Sequence, residues 1–288
     1  MFLATIVSTT FVNGPQYSLT VMSILLAHEM GHFLVARHHG VAASLPYFIP
    51  IPIAPIGTMG AVISMRTDQA TRSQLMDIGA AGPICGFLVA LPAMIIGAKI
   101  STIARLEPGG DYTMFGDSLL SFVVAKVFGP AVPDGYDLLA NPVWLGAWAG
   151  FLVTALNLLP MGQLDGGHVL FAFAPERASI WYRRVFRVVV VLCVIGLLVQ
   201  GPEIANQISE KHDLVPKALL EMTRPLHRWF TPGFILIALL ARAFGLRHPP
   251  VKDLDRPLSP TRRGIAIACA IIFLLTFMPN PMWFMAGS

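Results

Sequence analysis

Residues 18–40 read SLTVMSILLAHEMGHFLVARHHG, and the way this stretch accommodates two histidines and a glutamate decides the fold. About 20 such apolar residues, rising 1.5 Å each in a helix, cross a hydrocarbon core about 30 Å thick. Ionisable groups at that depth are costly, so they turn toward a protein interior and mark a functional site. In a helix His28 and His32 stand one turn apart on one face, where their ring nitrogens converge on a single ion. Glu29 lies about 100° round the helix, beside that ion and not on it. This is the H-E-x-x-H pattern, in which two imidazoles bind zinc and the glutamate takes a proton from water.

The rest of the chain agrees with a membrane setting. It has 288 residues, 55% of them hydrophobic and 12% charged, with a mean hydropathy of +0.67, outside the balance of soluble domains. The expected fold is an all-α polytopic membrane protein of about six transmembrane helices, at 18–37, 79–100, 143–160, 185–201, 230–244 and 264–282. The fifth is short. The opening MFLATIVSTTFV cannot span, lacks a signal-peptide pattern and reads as the tail of a preceding helix. Residues 115–129, interrupted by Asp117 and Lys126, read as an interfacial helix or lid. Placing loops 37–78, 161–187 and 242–263 on one side collects 13 basic residues there against 7 opposite, which makes that side cytoplasmic. The net charge of +4 then reflects topology, with none of the clustered basic surface of a nucleic-acid binder. Cys85, Cys193 and Cys269 all fall within expected spans as packing groups, leaving no disulfide framework.

A catalytic zinc commonly takes three protein ligands. Residues 157–168, NLLPMGQLDGGH, offer the third where Pro160 ends or kinks a helix and Gly166–Gly167 permit an unusual turn at membrane depth. Asp165 and His168 are both chemically suitable, and chemistry alone does not choose between them.

Together the two motifs resemble the site-2 protease family of intramembrane zinc metalloproteases. Asn157, Pro160, Leu164, Asp165 and Gly166 match its N-x-x-P-x-x-x-L-D-G segment letter for letter, and the resemblance covers about residues 1–180. It implies one zinc per chain held by His28, His32 and Asp165, Glu29 as general base, and Asn157 hydrogen-bonding the substrate backbone or the oxyanion. AAGPICGF, residues 80–87, resembles the Gly-Pro segment that packs against the catalytic helix, with Gly86 where many relatives carry Asn. Residues 44–67, rich in proline and then in β-branched alternation (GAVISM), read equally as a stiff loop or as a strand with an open edge. The resemblance implies a small membrane-dipping β-hairpin between the first and second spans, able to pair with an unwound substrate.

Residues 1–180 thus form the expected catalytic core, and 181–288 a three-helix membrane region with no readable catalytic signature. The implied function is intramembrane hydrolysis of membrane-anchored protein substrates, as in regulated intramembrane proteolysis. The site would lie toward the cytoplasmic side of, by default for a compact chain without a transit peptide, a bacterial plasma membrane. The rivals are a metal transporter, which would place a relay of ionisable groups on several helices, and a catalytically silent relative that binds membrane proteins.

Overall fold

The H-E-x-x-H stretch is helical, as its periodicity requires, within α1 (Phe2–His38). The helix is broken at Asn13 and Gly14, where Gly14 takes a φ of +84° just ahead of Pro15. Ser18 Oγ donates to the Ile6 carbonyl at 3.2 Å and lies 2.7 Å from Thr9 Oγ1. In a straight helix residues 6 and 18 would stand about 18 Å apart. The residues expected as the tail of a preceding helix are therefore a short helix folded back on the longer one.

The computed structural model describes residues 1–52, 56–65, 70–105, 107, 110, 112–208, 215–227, 235, 238–239, 248 and 251–285. After α1 come β1 (Tyr47–Pro50), β2 (Thr58–Val62), α2 (Arg72–Ile100), β3 (Thr102–Arg105), β4 (Tyr112–Phe115), α3 (Leu119–Phe128), β5 (Tyr136–Leu139), α4 (Pro142–Asn157), α5 (Asp165–Phe173), α6 (Pro175–Ile208) and α7 (Lys217–Thr223). A 3-10 turn, Arg224–Leu226, then α8 (Pro260–Thr276) and β6 (Met282–Met285) complete the described elements.

The six-span expectation is only partly met. Among the described residues three helices are long and apolar enough to cross a membrane, Phe2–His38, Arg72–Ile100 and the Pro175–Ala205 part of α6. The third and sixth expected spans are helices of 16 and 17 residues, about 25 Å each at 1.5 Å per residue. Asn141 caps α4 through Val143 N and Trp144 N, and the chain leaves the helix at Leu158, two residues before Pro160. α8 stops at Thr276 because Met278 and Asn280 each precede a proline and favour extended backbone. Most of the fifth span, 230–244, lies outside the described residues. The stretch 115–129, expected as an interfacial helix or lid, contains the helix α3.

The mainly helical expectation holds, with three antiparallel ribbons among the described residues, two more than expected. One is the expected hairpin, β1 with β2 in the register Tyr47↔Val62 and Phe48↔Ala61. Ser8 Oγ and Tyr17 Oη donate to the Gly57 and Ile56 carbonyls at 2.6 and 2.8 Å, so residues on both sides of the break in α1 tether the hairpin. The other two pair β3 with β5 and β4 with β6. They satisfy backbone groups in connections too broken by Pro and Gly to be helical.

The core is the contact of α1, α2 and α4, built around Tyr17, Val21, Leu25, Met94, Phe151 and Trp148. Small residues bring the backbones close, as in membrane helix pairs generally. A Cβ on Gly146 or Gly150 of α4 would come within 2.8 Å of Thr20 or 2.7 Å of Ile24, and one on Gly31 within 2.7 Å of the Ala81 carbonyl.

Candidate metal centre

α1 delivers His28 and His32 to its buried face, where they are 3% and 5% exposed; Glu29 is 7% exposed. His32 Nδ1 lies 2.8 Å from the Ile78 carbonyl of α2. A carbonyl only accepts, so Nδ1 carries the hydrogen and Nε2 keeps its lone pair for an ion.

Asp165 arrives from the break between α4 and α5. Residues 158–164 turn tightly, with Met161 N donating to Leu159 O and Gly162 at a φ of +55°. A Cβ at Gly166 would collide with the Leu158 carbonyl, and one at Gly167 with that of Gly162, so only glycines let α5 start this close to the end of α4. Asp165 opens α5, where the helix dipole favours its negative charge.

His28 Nε2, His32 Nε2 and Asp165 Oδ2 form a nearly equilateral triangle, 3.2 Å between the two nitrogens and 3.2 and 3.3 Å from each to the oxygen. Ligands about 2.0–2.1 Å from a tetrahedral zinc stand about 3.3 Å apart, so the donors fit such an ion with its fourth position open. Among the described residues this is the group of three able to hold a metal.

Asn157, the last residue of α4, puts Nδ2 3.2 Å from His28 Nε2, at the edge of the triangle. The buried Glu29 carboxylate is within electrostatic reach of His32 and Asp165 and accepts no protein hydrogen bond among the described residues. His168, the rival ligand, points elsewhere, with Nδ1 2.6 Å from His248 Nε2 and its Cβ packed on Gly79.

One feature escapes a reading of side-chain identities, and a second sharpens the expected packing of residues 80–87 on α1. The Ile78 carbonyl is a backbone group that no residue letter announces. Gly82 and Gly86 lie directly against the rings of His32 and His28, and a Cβ at Gly86 would stand 3.2 Å from His28 Nδ1. Their signal is the run of glycines at 79, 82 and 86, which share one helix face.

The model of peptidase family M50 matches residues 16–200, close to two thirds of the chain and all of this centre. The chain belongs to peptidase family M50. The site-2 protease resemblance is thereby borne out for this M50 chain. It is 34% identical over 173 residues to the probable zinc metalloprotease EGY2, chloroplastic, of Arabidopsis thaliana, covering 60% of this chain and 30% of that protein. It is also 34% identical over 168 residues to EGY2 of Oryza sativa subsp. indica (58% and 30%), and 33% over 156 residues to EGY1 of Arabidopsis thaliana (52% and 28%). The M50 chain thus spans less than a third of the length of these relatives. No solved structure matches it. The relatives are chloroplastic by name, so a bacterial plasma membrane finds no support, whereas a membrane protein does.

Proposed function

We propose that this chain is an intramembrane zinc endopeptidase acting on membrane-anchored proteins, with its machinery within residues 1–180. The observation that carries the proposal is the triangle of His28 Nε2, His32 Nε2 and Asp165 Oδ2, with a buried carboxylate one residue along the same helix. The names of the relatives, probable zinc metalloproteases, support it.

A zinc ion held by His28, His32 and Asp165 supplies Lewis-acid polarisation of a carbonyl and acidifies water. Glu29, which no donor among the described residues occupies, takes the proton of the attacking water on its carboxylate and returns it to the leaving amine. Asn157 donates from Nδ2 to the oxygen on which charge develops. The β1–β2 hairpin offers an edge to the unwound stretch of substrate, since a helical segment keeps its peptide bonds in internal hydrogen bonds. His32 lies six residues, about 9 Å, from the end of α1, so water reaches the site from the face where α1 ends and α2 begins. That face carries the excess of Lys and Arg, which makes it the cytoplasmic side.

Cleavage of a transmembrane reporter by purified wild type and by Glu29→Gln, with zinc quantified in both, tests the reading. The variant is expected to keep its metal and lose turnover. A transporter or a silent binding relative would leave the reporter intact in both samples. Equal cleavage by both would remove Glu29 from the reaction, and a metal-free, active wild type would remove zinc.

A further inference from the structure

The segment before α8 lies beyond the residues matched to the family, yet it is stitched to both halves of the metal centre. Lys252 N donates to the Ala70 carbonyl at 2.9 Å, and Arg72 N donates to the Lys252 carbonyl at 3.1 Å. The Arg72 guanidinium then serves four carbonyls: Nε donates to Ala172 at 2.7 Å, Nη2 to Phe173 at 3.1 Å, and Nη1 to Leu254 and Arg256 at 3.1 Å each. One side chain thus joins the first residue of α2, the C-terminal end of α5 and the segment leading into α8. A cation there complements the dipole of α5, a nine-residue helix whose first residue is Asp165.

A second link starts from α8. Arg262 Nε donates to Asp77 Oδ1 and Oδ2 at 2.9 and 3.1 Å, and Nη2 to Oδ2 at 2.7 Å, a forked pair that also receives His39 Nε2 at 3.0 Å. Asp77 immediately precedes Ile78, the residue whose carbonyl holds His32 Nδ1.

We propose that residues 251–262 form a clasp that positions the metal ligands, with Arg72 and Arg262 as its positioning residues. Arg72 fixes the far end of α5 and with it the placement of Asp165. Arg262, through Asp77, fixes the turn of α2 that orients His32. Neither arginine touches a reacting atom. The clasp rests on the proposed zinc site, and it gives the C-terminal region the role of aligning a centre built from residues 28–165.

The test is zinc affinity by chelator competition on the full chain in detergent, well below the unfolding temperature, together with kcat and KM on the transmembrane reporter. Outer partners of metal ligands typically alter affinity 10–100-fold. R262Q, D77N and R72K should each weaken zinc about tenfold and lower kcat with little change in KM. R262K should fall between wild type and R262Q, because lysine supplies a point charge where the fork is needed. The double variant D77N/R262Q should be no worse than its more impaired parent, as expected of partners in one interaction. R263Q, the neighbouring exposed arginine, should match wild type. Should R72K fail to fold, R262Q decides. The clasp is overturned if R262Q binds zinc and turns over as wild type does, even where its unfolding temperature falls, or if the double variant is fully additive. A wild type that binds no zinc would refute the zinc site itself, whereas a zinc-binding wild type matched by its variants refutes the clasp alone.

Discussion

Replacing Gly82 with alanine should dismantle the metal centre while leaving the helices in place. The added Cβ would come within 2.6 Å of His32 Cε1 and closer still to Cδ2 and Nε2, where ordinary contact begins at 3.4 Å. The imidazole would have to retreat by about 1 Å, and sites of this kind tolerate ligand displacements of about 0.2 Å. It cannot do so freely, because Nδ1 is bonded to Ile78 O at 2.8 Å and Nε2 sits 3.2 Å from its partner imidazole. Loss of a ligand should exceed the effect of an outer partner, so zinc affinity should fall by more than about 100-fold. Stability should change less: overpacking costs about 1–3 kcal/mol, and the better helix propensity of alanine offsets up to about 1 kcal/mol of it. Gly201→Ala is the control, since a Cβ there meets open space within α6 and should leave zinc binding unchanged. The assay is zinc per chain by elemental analysis after gel filtration, with chelator competition for affinity. A Gly82→Ala protein carrying one zinc per chain at wild-type affinity would refute the proposed packing of α2 on His32.

Asp165→Asn keeps the shape of the proposed third ligand but removes its charge, and should weaken zinc by at least about tenfold, read by the same competition. Dialysis against a chelator should abolish reporter cleavage and added zinc should restore it. Acid should speed the loss, because imidazole binds metal only when deprotonated; release independent of pH would argue against histidine ligands. Ser8→Ala with Tyr17→Phe removes both tethers of the β1–β2 turn, at about 0.5–1.5 kcal/mol per hydrogen bond. Reporter KM should rise with zinc content unchanged, and an unaltered KM would separate the hairpin from substrate binding.

Residue spacing carries the part of the site that is legible in the sequence. The four-residue separation of His28 and His32 forces a shared helix face, and Pro160 with Gly166–Gly167 announces a broken backbone beside a carboxylate. Sequence chemistry could not choose between Asp165 and His168, because they are three residues apart on one short helix. The choice depends on a tertiary partner, and His168 is engaged by His248, eighty residues further on. Hydropathy alone carried the third expected span past the end of its helix, because an apolar run does not reveal where its helix stops. Residues 158–160 are as apolar as α4 itself, yet they leave the helix to build the site. The β4–β6 ribbon pairs residues about 170 positions apart, and such register is carried by no local pattern.

Two imidazoles and a carboxylate persist in an apolar bundle because backbone proximity, more than side-chain polarity, prepares their places. Glycines at 31, 82 and 86 let α1 and α2 approach until lipid is excluded, and the same approach brings the Ile78 carbonyl to His32 Nδ1. Gly166 and Gly167 do the equivalent for α5, letting Asp165 reach both rings from a chain that has only just left α4. The three donor groups of the candidate centre are thereby placed by packing, and His32 also by a hydrogen bond, outside the triangle of donor atoms. The geometry for a small cation is set by helix packing, and this explains why a methyl group added behind a ligand should be nearly as damaging as removing the ligand.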